Sequence, residues 1–293
     1  MVPSKFKSEI QNLISKGFRP FEIAQKLNLN KTSTSCYIKT KLGYDFSRTY
    51  PITKPDYFQT IDSYMKAYWL GFICADGYLV NNPSKVIGIQ LTESDRIILE
   101  NFKEHIGSNV PLREIKPRSL NINNKIYISK PCVRLHLGNK QMYDDLIKLG
   151  VTTNKSKTLI NILGKIPYKY RDSFIVGYFD GDGSVYLPNG KIKTGTNNWY
   201  PSHSISCTMR GTKELLEAFR AHLNINTRLS YNKTYVLHIN RKEDIIRFLK
   251  CYNNLNFFLS RKFDKLITRL SHPTYNKLMQ VQTISSPFPY KES

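Results

Sequence analysis

Two related strings decide the fold of this sequence: YWLGFICADGYL at residues 68–79 and FIVGYFDGDGSVYL at residues 174–187. Each begins as an apolar segment suited to a buried helix and ends on an aspartate followed at once by a glycine. Residues four apart share one face of a helix, and small residues there let two backbones approach closely. The repetition therefore predicts that the two motif helices pack against each other through small residues four positions apart, namely Gly71, Ala75, Gly177 and Gly181.

The aspartates of the two strings, Asp76 and Asp182, are placed by this pattern at helix C-termini, where Gly77 and Gly183 are expected to form left-handed caps. A helix C-terminus prefers cations by roughly 0.3–1 kcal/mol at exposed sites, and two neighbouring carboxylates also repel each other. A divalent cation would remove both costs, because carboxylates and helix-end carbonyls are oxygen donors that suit Mg²⁺. A pair of metal ions at such a site can hydrolyse phosphodiesters.

The strings belong to an internal duplication. Asp182 follows Asp76 by 106 positions, and the strand-like triplet at residues 237–239 follows its counterpart at residues 135–137 by 102. Each copy predicts the order helix-strand-strand-helix-strand-strand-helix. We expect an α+β fold in which a duplicated αββαββα unit has pseudo-two-fold symmetry within one chain. The first half is assigned to residues 61–160, the second to 161–270, and a tail to 271–293.

A separate small unit precedes the duplication. Apolar spacing in residues 1–45 predicts three short helices, with Pro20 at the start of the second. The pattern resembles helix-turn-helix modules that bind DNA, and the third segment is basic and rich in hydroxyl groups; a plain helical bundle is the alternative. Residues 46–60 are assigned to a linker because they contain prolines without periodicity. The residues expected to face DNA are Lys31, Thr32, Ser33, Ser35, Tyr37 and Lys39.

The net charge of +22 indicates a polyanionic partner, with nucleic acid as the first candidate and an anionic membrane surface as the second. Alternation in the strands turns one face toward the helices and leaves the other exposed and basic. Any one of these basic residues on its own could be an ordinary surface residue, but together they favour a DNA platform. They are Arg113, Lys116, Arg118, Arg134, His136, Lys191, Lys193, Arg210, Arg228, Lys233, His238 and Arg241.

The five cysteines are dispersed and form no CxxC pair, which argues against a zinc site and favours reduced thiols. The N-terminus has no apolar signal-peptide core, and the longest apolar stretch is too short to span a bilayer. We therefore expect a soluble, intracellular protein without membrane contacts, in a bacterial or phage-infected cytoplasm or an organelle matrix.

WLGFICADG at residues 69–77 and IVGYFDGDG at residues 175–183 resemble the two motifs of the LAGLIDADG homing endonucleases, in the single-chain form. The resemblance implies a saddle of two antiparallel sheets over double-stranded DNA, with staggered cleavage across the minor groove. It makes Asp76 and Asp182 the catalytic acids and adds the carbonyls of Ala75 and Gly181 as metal ligands. Cys74 stands where the family often has aspartate, at a position that varies widely.

The resemblance also implies a basic residue near the end of each half. Lys155 and Lys262 align with each other and are expected to assist catalysis by stabilising charge on the phosphate. Glu93 and Arg210 occupy places where the family often has polar residues that organise water. An ordinary surface position is the alternative for each lysine.

The function implied is a Mg²⁺-dependent homing endonuclease that acts as a monomer on a long asymmetric site and promotes mobility of its host intron or gene. Two alternatives use the same scaffold: a regulator that binds DNA without cutting it, and a maturase that binds the RNA of its host intron.

Overall fold

The computed structural model describes residues 4–16, 18, 20–44, 52–122, 125–188, 191–193, 199–201 and 204–270. The chain divides into two compact units, Met1–Tyr50 and Pro51–Ser293. Residues 52–60, which the sequence assigned to a linker, lie in the second unit, because the apolar side chains among them join its core. Phe58 has no exposed surface there and its ring packs near that of Phe102.

The small unit has three helices: α1 (Lys7–Ser15), α2 (Pro20–Lys26) and α3 (Lys31–Lys41). Ile10, Ile23 and Ile38, one from each helix, are fully buried in its core. Asn30 begins α3, because its side chain accepts a hydrogen bond from the backbone amide of Ser33 at 3.0 Å. The three helices predicted from the sequence are present.

In the large unit, the segment before Tyr64 is followed by two halves of similar order, the first of which begins with the first motif helix. The elements of the first half are α4 (Tyr64–Asp76), β1 (Gly77–Val80), β2 (Val86–Thr92), α5 (Arg96–Ile106), β3 (Arg113–Ile115), β4 (Ser119–Ile122), β5 (Lys125–Ile128), β6 (Cys132–Gly138), α6 (Lys140–Leu149) and α7 (Lys155–Thr158). Those of the second are α8 (Arg171–Asp182), β7 (Ser184–Tyr186), β8 (Lys191–Lys193), β9 (Trp199–Pro201), β10 (Ser206–Gly211), α9 (Lys213–His222), β11 (Ser230–Asn232), β12 (Thr234–Ile239), α10 (Lys242–Lys250) and α11 (Ser260–Leu270).

Each half builds one four-stranded antiparallel sheet with the same arrangement. The first sheet has the order β1-β2-β6-β3, and the second has the order β7-β10-β12-β11 when it is followed from its first strand. The duplicated α+β fold predicted from the sequence is therefore present. The sequence did not predict the two extra hairpins, β4–β5 and β8–β9, which are inserted at different places in the two halves.

Strand alternation positions the sheets on the core. In β6, Val133, Leu135 and Leu137 are buried, whereas the residues between them are at least partly exposed. In β10, Cys207 and Met209 are buried in the same manner. Each sheet thus covers the helices with one face and leaves the other to solvent.

Candidate active site

The motif helices α4 and α8 pack backbone against backbone. A Cβ atom added to Gly71 would lie 2.0 Å from the carbonyl oxygen of Phe174, and one added to Gly177 would lie 1.9 Å from that of Tyr68. A Cβ atom on Gly181 would lie 2.4 Å from the Cβ of Ala75. No side chain larger than hydrogen fits at these glycines, so their absence of bulk is what brings the two helices together.

The glycines that follow the motif helices correct one expectation. Gly77 and Gly183 have φ angles of −71° and −76°, so neither forms the predicted left-handed cap. Glycine is needed there for space, since an added Cβ would lie 2.7 Å from the carbonyl oxygen of Ile73 or 2.4 Å from that of Phe179. The chain leaves each helix directly into an extended strand.

Asp76 and Asp182 end the two helices and are close enough to interact. Burial raises the pKa of Asp76 to about 6, and the negative charge of Asp182 adds to that rise. Burial also raises the pKa of Asp182, while Lys155 and Lys262 oppose the rise. Ionisation is therefore disfavoured at both carboxylates, although Asp76 is only partly buried and part of Asp182 reaches solvent beside the surrounding protein.

Two lysine ammonium groups cap the helix ends beside these acids. Lys155 Nζ donates to the carbonyl oxygen of Cys74 at 2.8 Å and to that of Ala75. An ammonium has three protons, but Lys262 Nζ has four carbonyl acceptors within reach. These are the carbonyl oxygens of Phe179 at 2.8 Å, Asp180 at 2.7 Å, Gly181 at 3.1 Å and Gly183 at 2.6 Å.

These lysines place positive charge at the negative ends of the helix dipoles. Burial lowers the pKa of Lys262 to about 8 and also lowers that of Lys155, and the neighbouring acids oppose both shifts. A cation was expected at these helix ends, and two protein ammonium groups already provide positive charge there. The sequence identified the lysines only through the resemblance; nothing in their spacing revealed the carbonyls that they bind.

Asp180 is a site residue that the sequence analysis missed. It is buried, and its Oδ2 accepts hydrogen bonds from the Tyr68 hydroxyl at 2.9 Å and the Leu259 amide at 2.7 Å. Burial raises its pKa to about 7. The aligned residue Cys74 is also buried, and burial raises the pKa of its thiol to about 12. The two motifs therefore differ. The carboxylate of Asp180 in α8 binds the chain before α11, whereas Cys74 in α4 has no carboxylate to make such a contact.

Arg210 and Glu93 lie differently with respect to the acids. Arg210, exposed on β10, is near enough to Asp182 to counter the rise of its pKa. Glu93 instead forms an ion pair with Arg96 at 2.5 Å. Glu93 lies in the helical turn that follows β2, whereas Arg210 lies within β10, so the two residues do not occupy equivalent positions.

The donor set at the helix ends suits a hard divalent cation. It offers two carboxylates, Asp76 and Asp182, together with backbone carbonyls, and all of these donors are oxygens. Within the described ranges, no cluster of three or more His, Cys, Asp or Glu side chains could hold a metal ion. A cation at this site would therefore need carbonyl, water or phosphate oxygens to complete its coordination.

The exposed face of the first sheet carries basic residues in adjacent strands. Arg113 and Arg134 are directly opposite each other in the β3–β6 ladder, an arrangement of like charges that an isolated sheet disfavours. Arg134 Nε donates to Gln90 at 2.9 Å, and Tyr78 hydrogen-bonds to His136. This face can accept a polyanion.

The exposed face of the second sheet has a different chemistry. Ser184 pairs with Thr208 at 2.7 Å, and Ser230 hydrogen-bonds to His238 Nε2 at 2.8 Å. Arg210 is the basic residue of β10 on this face. The two halves thus present unequal surfaces.

The other predicted DNA contacts lie on loops, on β8 or on the small unit. Lys116 and Arg118 are exposed between β3 and β4, and the exposed residues Arg228, Lys233 and Arg241 lie beside β11 and β12. On α3, the exposed residues are Lys31, Thr32, Ser35 and Lys39, whereas Ser33 and Tyr37 are partly buried. Lys191 and Lys193 form β8, but their side chains lie outside the described part of the structure.

Among the helices of the described residues, none has the length and apolar character needed to cross a bilayer.

Comparison with known proteins agrees with the geometry. A family model described as a LAGLIDADG-like domain matches residues 169–251. The solved structure of the homing endonuclease I-WcaI bound to its DNA recognition sequence is similar, with a TM-score of 0.51 and 17% identity over 78% of this chain and 96% of that chain. The LAGLIDADG meganuclease I-AabMI bound to uncleaved DNA gives a TM-score of 0.49 and 12% identity over 72% and 90% of the respective chains.

No curated protein sequence matches the chain. At 17% identity, the similarity to I-WcaI shows a shared fold, and the family model independently covers the second motif. The resemblance found in the sequence is therefore confirmed: the chain carries a LAGLIDADG-like domain and has the fold of the LAGLIDADG homing endonucleases, with both motifs in a single chain.

Proposed function

We propose that the protein is a site-specific DNA endonuclease that hydrolyses one phosphodiester bond in each strand of a long asymmetric duplex site. The observation that carries the proposal is the meeting of Asp76 and Asp182 at the joined ends of α4 and α8, each end being capped by a lysine. Two interacting carboxylates at positions where ionisation is disfavoured would destabilise a helix pair that had only a structural role. Their presence therefore favours a functional site.

Mg²⁺ is the proposed cofactor, held by Asp76, Asp182 and the carbonyls of Ala75 and Gly181. When bound, such an ion would polarise the phosphate and lower the pKa of a water molecule. The Gly181 carbonyl fits this role because it is the most distant of the four acceptors around Lys262. The Ala75 carbonyl already accepts from Lys155, so that ammonium would have to release it.

The lysines are proposed to act on the phosphate. Lys262, with a pKa lowered to about 8, can give up a proton near neutral pH and can also neutralise charge as it develops on the leaving oxygen. Lys155 is proposed to do the same at the other scissile bond. Arg210 is proposed to assist at Asp182, because its guanidinium favours the ionised carboxylate.

The exposed sheet faces are proposed to read the DNA. Arg113, Arg134 and His136 on one face, and Arg210 and His238 on the other, give the two half-sites different partners, so a palindromic target is not required. The α3 surface is proposed to contact flanking DNA as a recognition helix. The protein would work as a monomer that cuts across the minor groove and promotes mobility of its host intron or gene.

The test is cleavage of a supercoiled plasmid that carries the host allele without its insertion. With Mg²⁺, the wild-type protein is expected to give linear product, and Asp76→Asn or Asp182→Asn is expected to abolish double-strand cleavage while binding persists. A plasmid with the insertion in place is the matched control. An intact plasmid after incubation with wild-type protein would refute the endonuclease.

Two further measurements, DNA retention and intron splicing, separate the two alternatives. Specific retention of the uncut plasmid by the protein would point to a regulator, and a change in splicing of the host intron would point to a maturase.

A further inference from the structure

We propose that Asp95 and Arg261 form a positioning pair that joins the two halves and sets Lys262 in the site. This inference rests on the proposed endonuclease function, in which Lys262 acts on the phosphate. Asp95 directly precedes α5 in the first half, and Arg261 lies in the first turn of α11 in the second half, immediately before Lys262.

The pair has the geometry of a fixed contact. Arg261 Nε donates to Oδ1 of Asp95 at 3.0 Å, and a terminal nitrogen of the guanidinium donates to Oδ2 at 2.8 Å. Two parallel hydrogen bonds fix orientation as well as distance. Asp95 is only 7% exposed, so removal of Arg261 would leave a buried carboxylate without its charged partner.

The contacts that hold the chain before α11 do not include its first turn, where Arg261 lies. The chain before α11 is held by the stacking of Phe257 on Trp69, with ring centroids 5.6 Å apart, and by the Leu259 amide on Asp180. Between α5 and residues 256–260, however, lies a groove of about 730 Å³. The first turn of α11 is therefore tied to the first half at Asp95, next to this groove.

The segment that carries Lys155 is also held by a contact with the opposite half, but this contact is weaker. Thr212 precedes α9 as Asp95 precedes α5, and its hydroxyl donates to the carbonyl of Leu159, just after the segment that carries Lys155. Each lysine-bearing segment is thus held by the opposite half. The tether is a bidentate ion pair for Lys262 and a single neutral hydrogen bond for Lys155, so the two sites are positioned unequally.

The test measures the two strands separately under single-turnover conditions at saturating protein, with each strand of the target carrying its own label. Lys262→Met and Lys155→Met first identify which nick depends on which lysine. Asp95→Asn and Arg261→Gln are then expected to slow the nick that depends on Lys262 by about 10–100-fold, as a small misplacement of an active-site group does, while the other nick and DNA affinity change little. Arg261→Lys, which keeps the charge but loses the two-point contact, is expected to fall between wild type and Arg261→Gln.

Double variants show whether the pair acts through Lys262. Asp95→Asn should cause no further loss in a Lys262→Met background and should retain its full effect in a Lys155→Met background. Glu114→Gln is the matched control, because Glu114 also forms an ion pair beside α5, with Arg96 at 2.9 Å, but makes it on the surface. Equal slowing of both strands would overturn the proposal, and so would a further loss of activity in the Lys262→Met background. If Arg261→Gln weakened DNA binding and Asp95→Asn did not, Arg261 would be a phosphate contact and the proposal would be wrong.

A second measurement keeps the inference separate from the proposed function. Chemical labelling of lysine amines, read by mass spectrometry on the full-length protein, needs no cleavage. Asp95→Asn and Arg261→Gln are expected to increase labelling of Lys262, which is 6% exposed in the intact protein, relative to Lys155. An unchanged ratio would overturn the positioning role. Failure of the wild-type protein to nick any strand would remove the endonuclease function and leave this result standing.

Discussion

Replacement of Asp76 by asparagine should stabilise the metal-free protein at pH 8. Burial and Asp182 raise the pKa of Asp76 from its ordinary value of 3.8 to about 6, so the folded protein binds this proton more tightly than the unfolded chain does. Stability must then fall as the pH rises from about 4 to about 6, and the loss persists at higher pH. Asparagine has no proton to lose and avoids that fall.

The magnitude follows from the shift. About two pKa units correspond to about 3 kcal/mol at most, and the partial exposure of Asp76 reduces the expected gain to about 1–3 kcal/mol. We expect this gain in urea unfolding at pH 8 with EDTA, followed by tryptophan fluorescence because Trp69 is buried in the large unit. The gain should shrink toward zero near pH 4.

Two comparisons complete this prediction. Asp144→Asn on α6 should show the opposite sign, because Lys140 lowers the pKa of Asp144 and favours its carboxylate. Added Mg²⁺ should stabilise the wild-type protein and leave Asp76→Asn almost unchanged. If Asp76→Asn is no more stable than wild type at pH 8 in EDTA, the lysines already satisfy this carboxylate and the reasoning is wrong.

Three further predictions concern packing, capping and DNA binding. Gly71→Ala or Gly177→Ala should destabilise the protein by about 3 kcal/mol or more in urea unfolding, since the new methyl would overlap a carbonyl oxygen. Gly138→Ala should cost much less, because its nearest neighbour would lie at 3.3 Å and needs to move only slightly. Lys262→Met should cost about 1–3 kcal/mol because four backbone carbonyls lose a charged donor, and more than Lys155→Met, which removes a donor from two; equal losses would contradict the capping geometry. Arg113→Ala and Arg134→Ala should each weaken DNA binding and reduce the slope of log affinity against log salt by about 1, and an unchanged slope would place these arginines off the DNA.

The features that follow local patterns were predictable from the sequence. The spacing of Gly71 with Ala75 and of Gly177 with Gly181 predicted the helix pair, and strand alternation predicted the exposed face that carries Arg134 and His136. These patterns repeat every few residues, so a single sequence displays them. Lys155 and Lys262 were identified through the family resemblance, and the alignment of the halves then gave them equivalent positions.

The remainder depends on contacts between distant parts of the chain. Arg261 meets Asp95 across 166 positions, and the Leu259 amide reaches Asp180 across 79, distances at which no periodicity operates. Gly77 and Gly183 were assigned left-handed caps because glycine often forms them, but crowding by the preceding helix turn explains them better. The two hairpins were missed because they break the repeat at different points.

The most direct test of the central claim is anomalous diffraction from the protein–DNA complex grown with Mn²⁺ in place of Mg²⁺. We predict a signal between the carboxylates of Asp76 and Asp182, with the Gly181 carbonyl among its neighbours. The contrary result is a complex in which the scissile phosphates lie at these acids but no metal signal is present, and both lysines still contact the helix carbonyls. That result would contradict the claim that Asp76 and Asp182 bind a divalent cation.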